Sequence, residues 1–372
     1  MGRVGRFIFR VVTVLASVGL LGALVCVAAY RAYTYYFLTP RDPSNIETVV
    51  FDTETARGLR QVARTLEEQG IIRSGLAFRM LARFEKKDTQ IKAGEYALAP
   101  SMTPQQILDI MVRGDTIPRR ATIREGMTIS DISAIVEQAG IVDRASFEEA
   151  LADPRLRQDL GIEAHSFEGY LFPETYNFRR NTHADQVIRA MYDQLHKHWT
   201  SEWDSQAARL GMSKHQILTL ASIVEKESGN FDEQPIIASV FHNRLKLNMR
   251  LQADPTVIYG IKNFNGNITK RDLQTETPYN TYIIPGLPPG PIANPGFSAI
   301  KAALFPTDTR YLYFVGNGEG RHVFSENLDQ HNDAVNRYQR GVASRAARDG
   351  VMAQPVDATV AGTGAEQGAS AQ

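Results

Sequence analysis

From Val11 to Tyr30 the chain runs for twenty residues without a charge, rich in Val, Leu and Ala. At 1.5 Å per residue, such a helix spans about 30 Å, the thickness of a bilayer's hydrocarbon core. Arg3, Arg6 and Arg10 precede the run, and Tyr30, Tyr33, Tyr35 and Tyr36 follow it. Positive charge marks the cytoplasmic side of a membrane, and tyrosines suit the far interface. The pattern predicts a cytoplasmic N-terminus over 1–10, a transmembrane helix over 11–30 and an exported remainder. A cleaved signal peptide is the alternative, because Val25-Cys26-Val27-Ala28-Ala29 offers small residues. The apolar run is longer than a usual signal core.

Residues 31–47 read as a linker, ending before the β-rich Val49-Val50-Phe51. Leu59, Val62, Ala63 and Leu66 then follow helical spacing, with Gly70 placed to stop the helix. The pattern returns seventy residues on: Ile129, Ile132, Val136, Glu137, Gly140 and Ile141 match Leu59, Val62, Leu66, Glu67, Gly70 and Ile71. Helix-turn-strand units of this kind resemble small carbohydrate-binding modules of the LysM type. Two ordinary amphipathic helices with glycine stops fit the same letters. The expected fold class is α+β, with a LysM-like region over 48–158 and a mixed α+β block over 159–342. That block shows a helix around 184–199, another opening near Ser213, and a strand at Tyr311–Val315. Residues 343–372, rich in Ala, Gly and Gln, read as a disordered tail.

Composition narrows the function. The 372 residues allow about two domains, and 41 Lys+Arg against 41 Asp+Glu leave no basic excess for nucleic acid. Cys26 stands alone, which excludes an intramolecular disulfide or a cysteine zinc site. His196 and His198 diverge on a helix, and His322 and His331 lack zinc-type spacing. Neither a phosphate-binding loop nor a Gly-x-Ser-x-Gly elbow occurs. No metal and no cofactor is expected.

Ser213 and Gln216 form a capping box before an apolar run, and Ile217, Leu220, Ala221 and Val224 mark a buried face. Glu225, Lys226, Glu227 and Ser228 come at the far end, where Gly229 can terminate the helix. A carboxylate there meets the negative end of the macrodipole. Glu227 continues an apolar stripe, with Val224, Ile223 and Leu220 three, four and seven residues back. The same offsets from Glu225 give Ser222, Ala221 and Leu218, a smaller and more polar surface. Desolvation then favours protonated Glu227, as a general acid requires. A solvent-facing helix end would carry the same letters.

Glu168, Glu174 and Asp254 are candidates for a second carboxylate of the kind glycosidases pair with the acid. Lytic cleavage of peptidoglycan needs none, because the muramic acid's own carbon 6 hydroxyl attacks the anomeric carbon. Asn243-Arg244, Arg250–Thr256, Tyr259, Tyr279–Tyr282 and Gly286–Ile292 supply polar, aromatic and rigid loop chemistry suited to a sugar. Each residue alone is also explained by turn formation.

The motifs in order are Glu168-Gly-Tyr-Leu-Phe-Pro-Glu174-Thr-Tyr176, Ala221-Ser-Ile-Val-Glu-Lys-Glu-Ser228 and Ala238-Ser-Val-Phe-His-Asn-Arg244. Arg250-Leu-Gln-Ala-Asp-Pro-Thr-Val-Ile-Tyr259, Tyr279-Asn-Thr-Tyr282, Gly286-Leu-Pro-Pro289 and Asn327-Leu-Asp-Gln-His-Asn332 follow. Over roughly residues 45–342 the run resembles the endolytic murein transglycosylase family (MltG, or YceG-like). The resemblance implies a LysM-like subdomain and a catalytic domain outside the cytoplasm, anchored in a bacterial inner membrane. It implies cleavage of the bond between N-acetylmuramic acid and N-acetylglucosamine in nascent strands, with a 1,6-anhydro product. The implied partners are peptidoglycan strands, the membrane and peptidoglycan synthases (penicillin-binding proteins), with no nucleic acid. The family's catalytic glutamate falls on Glu227, and Asn243, Gln252, Asp254, Tyr279 and Asn280 are expected to line the cleft.

Overall fold

The uncharged run lies inside a longer helix, α1 (Arg3–Tyr33), which continues as a π-helical turn over Thr34–Leu38. The structure, a computed structural model, describes residues 3–53, 58–262 and 264–340. The expected tail over 343–372 lies outside the described residues. The candidate membrane span covers Val12–Leu38, and its most apolar stretch is not buried by the protein. The expected linker over 31–47 therefore begins as helix. Tyr33 stacks on Phe37 at 5.2 Å, and Phe37 packs against the first unit's core, which extends the helical winding past the apolar run.

The chain divides into two units at Arg119 and Arg120. In the first, β1 (Val49–Asp52) leads into α2 (Leu59–Glu68) and α3 (Gly75–Phe84), then β2 (Glu95–Leu98) and α4 (Pro104–Arg113). β1 and β2 pair antiparallel, with Phe51 opposite Tyr96, and both rings are fully buried with Leu66, Phe78 and Ile107. The buried Tyr96 hydroxyl is satisfied by the Lys92 and Met111 carbonyls at 2.6 and 3.2 Å.

The second unit carries β3 (Arg119–Thr122), α5 (Ile129–Gln138), α6 (Arg144–Ala152), α7 (Pro154–Asp159) and β4 (Thr175–Phe178). Next come α8 (Ala184–His198), α9 (Ser201–Arg209), α10 (Lys214–Glu227), α11 (Gln234–Lys246), α12 (Asp254–Gly260), α13 (Lys270–Gln274) and α14 (Phe297–Leu304). It ends in β5 (Tyr313–Gly316), β6 (His322–Ser325) and α15 (Leu328–Val335). β5 starts two residues later than Tyr311 and pairs antiparallel with β6.

The seventy-residue repeat is a repeat of local structure. α2 buries Val62, Ala63 and Leu66, and α5 buries Ile132, Ser133 and Val136. Gly70 and Gly140 follow at φ 75° and 66°. The next amide returns to the helix, Ile71 N to Leu66 O at 2.9 Å and Ile141 N to Val136 O at 3.0 Å. What comes after each turn is a helix, contrary to the expected strand. Ser74 and Asp143 accept from the Ala77 and Ser146 amides and start α3 and α6.

The division also falls some forty residues before the expected boundary at 158–159. Ile132, Val136, Phe147 and Leu151 share one core with Phe167, Leu171, Val187 and Leu220. Helix periodicity identifies a buried face but not its partner. Every residue of α10 from Ile217 to Val224 is buried, with α14, α11 and α12 packed around it. A helix enclosed on all sides is a rigid base for whatever stands at its end.

A fragment beginning at residue 120 should keep a cooperative urea transition. One beginning at 159 loses Ile132, Val136, Phe147 and Leu151 from that core and should not. Equal transitions for the two would contradict this assignment of the boundary.

Candidate active site

α10 opens with the expected capping box: Ser213 Oγ accepts the Gln216 amide at 3.2 Å, and Gln216 Oε1 accepts the Ser213 amide at 2.8 Å. It ends at Glu227, one residue sooner than the expected glycine stop. Ser228 turns the chain out at φ −143°, so Gly229 does not cap it. Within the helix, Ser222 Oγ donates to Thr219 O at 2.7 Å and accepts the Ile292 amide at 3.0 Å. His215 at the first turn meets the Pro289 carbonyl at 2.8 Å. The Gly286–Ile292 loop is therefore fastened to α10 at two levels.

The two glutamates diverge. Glu225 Oε2 accepts the Gly296 amide at 2.9 Å, at the N-cap of α14, where a carboxylate is favoured. Burial raises its pKa and that bond pulls it back. The Glu227 carboxyl has no hydrogen-bond partner among the described residues and is half-buried. It is packed closely enough that burial dominates its titration, yet part of it reaches solvent. Burial first, and the Asp254 charge after it, push its pKa up to about 8 against the opposing charge of Arg244.

Arg244, on α11, is 2% exposed. Its Nε donates to Leu312 O at 2.7 Å and its Nη1 to Leu251 O at 2.8 Å, and the guanidinium stands 5.2 Å from the Tyr313 ring centre. These bonds hold a cation in the interior, where guanidinium stays charged. Asp254 is the first residue of α12 and accepts the Tyr282 hydroxyl at 2.5 Å. Burial, then the Asp254 charge, keeps Tyr282 protonated. Glu227, Arg244, Asp254 and Tyr282 thus act on one another electrostatically.

The other expected site residues separate into two groups. Gln252 sits in the left-handed region at φ 49°, half-buried, with its amide nitrogen on Thr281 O at 3.1 Å and its side chain unbonded among the described residues. Such a conformation costs roughly 1–3 kcal/mol in a non-glycine residue and often marks a functional position. Tyr279 is half-buried, its ring centre 4.8 Å from that of Tyr259. Asn243 instead gives both amide hydrogens to the Thr309 and Tyr311 carbonyls, at 2.9 and 3.0 Å, leaving only Oδ1 for a ligand. Asn280 is fully buried. It donates to the carbonyls of Asp272, Leu273 and Thr275 and accepts the Tyr282 amide at 3.0 Å. These bonds commit the Asn280 side chain within the fold, and none of them supports the expected cleft role. The end of α13 leaves carbonyls in need of a donor, and Asn280 supplies it.

Glu168 is also spent internally. It is 3% exposed and accepts the Ile129 amide at 3.1 Å, Asn294 Nδ2 at 3.0 Å and the Tyr259 hydroxyl at 3.2 Å. Burial raises its pKa to about 8 against these bonds. The neighbouring Gly169 is at φ 84°, and a Cβ there would come within 2.4 Å of Pro291. Only glycine lets the two motifs interlock. Glu174 is exposed and accepts the Thr175 amide at 3.0 Å.

Arg244 stands in a polar cluster suited to a sugar but not among the expected cleft residues, although the argument that singled out Glu227 applies to it. Phe241, Val240 and Ile237 lie three, four and seven residues back, and all are buried.

A family model described as YceG-like matches residues 51–337. A Bacillus subtilis (strain 168) protein named endolytic murein transglycosylase is 32% identical over 322 residues, which is 82% of this chain and 89% of that one. A protein of the same name from Streptococcus pneumoniae (serotype 2, strain D39) is 29% identical over 347 residues. The match takes in 84% of this chain but only 63% of that relative's length. The crystal structure of a yceG-like protein from Listeria monocytogenes aligns with a TM-score of 0.54 and 33% identity, over 77% of this chain and 98% of that one.

The raised pKa of Glu227 makes a signed prediction. An unfolded glutamate ionises near 4.5 and the folded one near 8, so folding stability falls as pH rises through that window. Glu227→Gln removes the loss, and its stability advantage in denaturant should widen with pH across the window. Asp254→Asn should narrow the gap, because it removes a charge that raises the Glu227 pKa. A pH-independent gap would contradict the burial of the carboxyl.

Proposed function

The chain belongs to the YceG-like family, and on that premise we propose that it is a membrane-anchored endolytic lytic transglycosylase acting on peptidoglycan. The observation that carries the reading is a carboxyl with a pKa of about 8 and no hydrogen-bond partner among the described residues, half-buried at the end of a core helix. Near neutral pH such a group is mostly protonated, and its proton is available to a ligand.

Glu227 donates that proton to the oxygen joining N-acetylmuramic acid to N-acetylglucosamine, and the bond from that oxygen to the anomeric carbon breaks. Positive charge builds at the anomeric carbon. The carbon 6 hydroxyl of the same muramic acid attacks it and gives up its proton to ionised Glu227. One carbon–oxygen bond breaks, one forms, and a proton passes from one oxygen to the other through Glu227. No water is consumed. Arg244 steadies the transient carboxylate, while Asp254 keeps it basic enough to take the second proton. Gln252, Asp254 and Tyr279 are the proposed cleft residues, with Asn243 contributing through Oδ1. Gln252 is the choice for an amide contact to an acetamido group, since its side chain is uncommitted among the described residues.

Anchoring is supported by the apolar span over Val12–Leu38. The arginines before it argue for a cytoplasmic N-terminus and a periplasmic catalytic unit. Synthases are the proposed partners, because a strand-cutting enzyme on the same membrane face meets strands as they emerge. The β-α-α-β order of the first unit supports its reading as LysM-like.

Mass spectrometry of strands digested by the full chain should show ends lighter by one water than hydrolysed ends. Glu227→Gln should stay folded and release no fragments, a loss of several orders of magnitude, whereas Glu225→Gln should retain more activity. Hydrolysed ends, or an active Glu227→Gln variant, would reject the mechanism.

A further inference from the structure

The outer face of α3 carries three exposed apolar side chains one helical turn apart: Leu76 (59% exposed), Met80 (42%) and Phe84 (76%). The inner face is already used, with Ala77, Phe78, Leu81 and Ala82 buried in the first unit's core. The outer stripe is thus left over after folding is satisfied. Arg79, Arg83 and Lys86 flank it and make no ion pair among the described residues, while nearby Lys87 is held by Glu85 and Asp109. An apolar stripe edged with unpaired cations is the signature of a helix lying in a membrane interface.

The attachment of α3 fixes where that interface is. Arg73, one residue before the N-cap Ser74, donates through Nη1 to Tyr35 O, Thr39 O and Thr39 Oγ1 at 3.1, 3.1 and 2.8 Å. Its Nη2 donates to Arg41 O at 3.0 Å, and the guanidinium caps the Tyr35 ring at 4.2 Å. Tyr35 lies five residues beyond the uncharged run, roughly 7 Å past the hydrocarbon boundary and so at headgroup depth. The start of α3 is clamped at that depth. Phe84 lies nine residues further on, a distance of about 14 Å along the helix axis.

We propose that α3 is a second membrane contact, lying along the outer surface of the bilayer that α1 crosses. Leu76, Met80 and Phe84 enter the boundary between headgroups and acyl chains, and Arg79 and Arg83 meet anionic headgroups. The proposal rests on the reading of α1 as a membrane anchor. It adds that the first unit is held flat against the lipid and does not swing on its tether.

The test uses the full-length Phe84→Trp variant in vesicles of phosphatidylcholine and phosphatidylglycerol, with the emission of Trp199 and Trp203 subtracted using the parent protein. The residue is exposed, so the variant should keep the parent's unfolding transition. Lipids brominated near the headgroup end of the acyl chains should quench the new tryptophan. Adding Leu76→Ser and Met80→Ser, or omitting phosphatidylglycerol, should weaken the quenching. Protein that floats with the vesicles but leaves the introduced tryptophan unquenched would overturn the proposal while leaving the anchor standing. Protein that fails to float would remove the anchor itself, and the proposal with it. Unquenched emission that shifts to the blue as protein crowds the vesicles would assign the stripe to a second copy of the chain, also overturning it.

Discussion

A carboxyl group removed from water resists ionisation, and the second unit keeps one such group at the end of α10, a helix buried without a break from Ile217 to Val224. The core around α10 does more than stabilise the fold. It fixes the helix end so that Glu227 cannot retreat to solvent, and the resulting desolvation is the largest influence on its proton. Removing the surrounding side chains would restore an ordinary glutamate, with a pKa near 4.5 and no proton to give near neutral pH.

Two charges tune what burial begins. Arg244 could not remain cationic in the interior without the Leu312 and Leu251 carbonyls and the Tyr313 ring. Those contacts also hold the segment before Gln252, whose left-handed backbone leaves its side chain free. Asp254 works in the opposite sense on the same carboxyl, and its own charge is anchored by Tyr282. In the proposed mechanism, where Glu227 is an acid first and a base afterwards, that balance is useful because the two charges push its proton affinity in opposite directions. Around this centre, Asn294 takes the Gly169 and Leu171 amides and bonds Glu168, which locks the loop before β4. Glu168 is a second buried carboxyl with a similarly raised pKa, yet its three hydrogen bonds give it a structural task.

Local signals in the sequence were legible where a single element decides them. The capping box at Ser213, the apolar stripe below Glu227 and the matched turns at Gly70 and Gly140 all follow from spacing and backbone sterics. Long-range partnerships were not. Helix periodicity in α5 says that Ile132 and Val136 are buried, but not that they pack with Phe167, so it does not tell which unit α5 joins. Asn280 reads as a sugar ligand in isolation, and only the fold reveals the three carbonyls it must satisfy. Arg244 was within reach of the same stripe argument that found Glu227. An arginine on an apolar face is, however, more readily read as a side chain snorkelling outward than as a buried counter-charge.

The proposed chemistry requires Glu227 to hold a proton near neutral pH. Infrared difference spectra between the parent and Glu227→Gln read that proton directly, because a carboxylic acid and a carboxylate absorb at separate frequencies. An acid band should be present at about pH 7 and convert to carboxylate only as pH approaches about 8. A carboxylate band already complete near pH 5, where an exposed glutamate would have ionised, would contradict it.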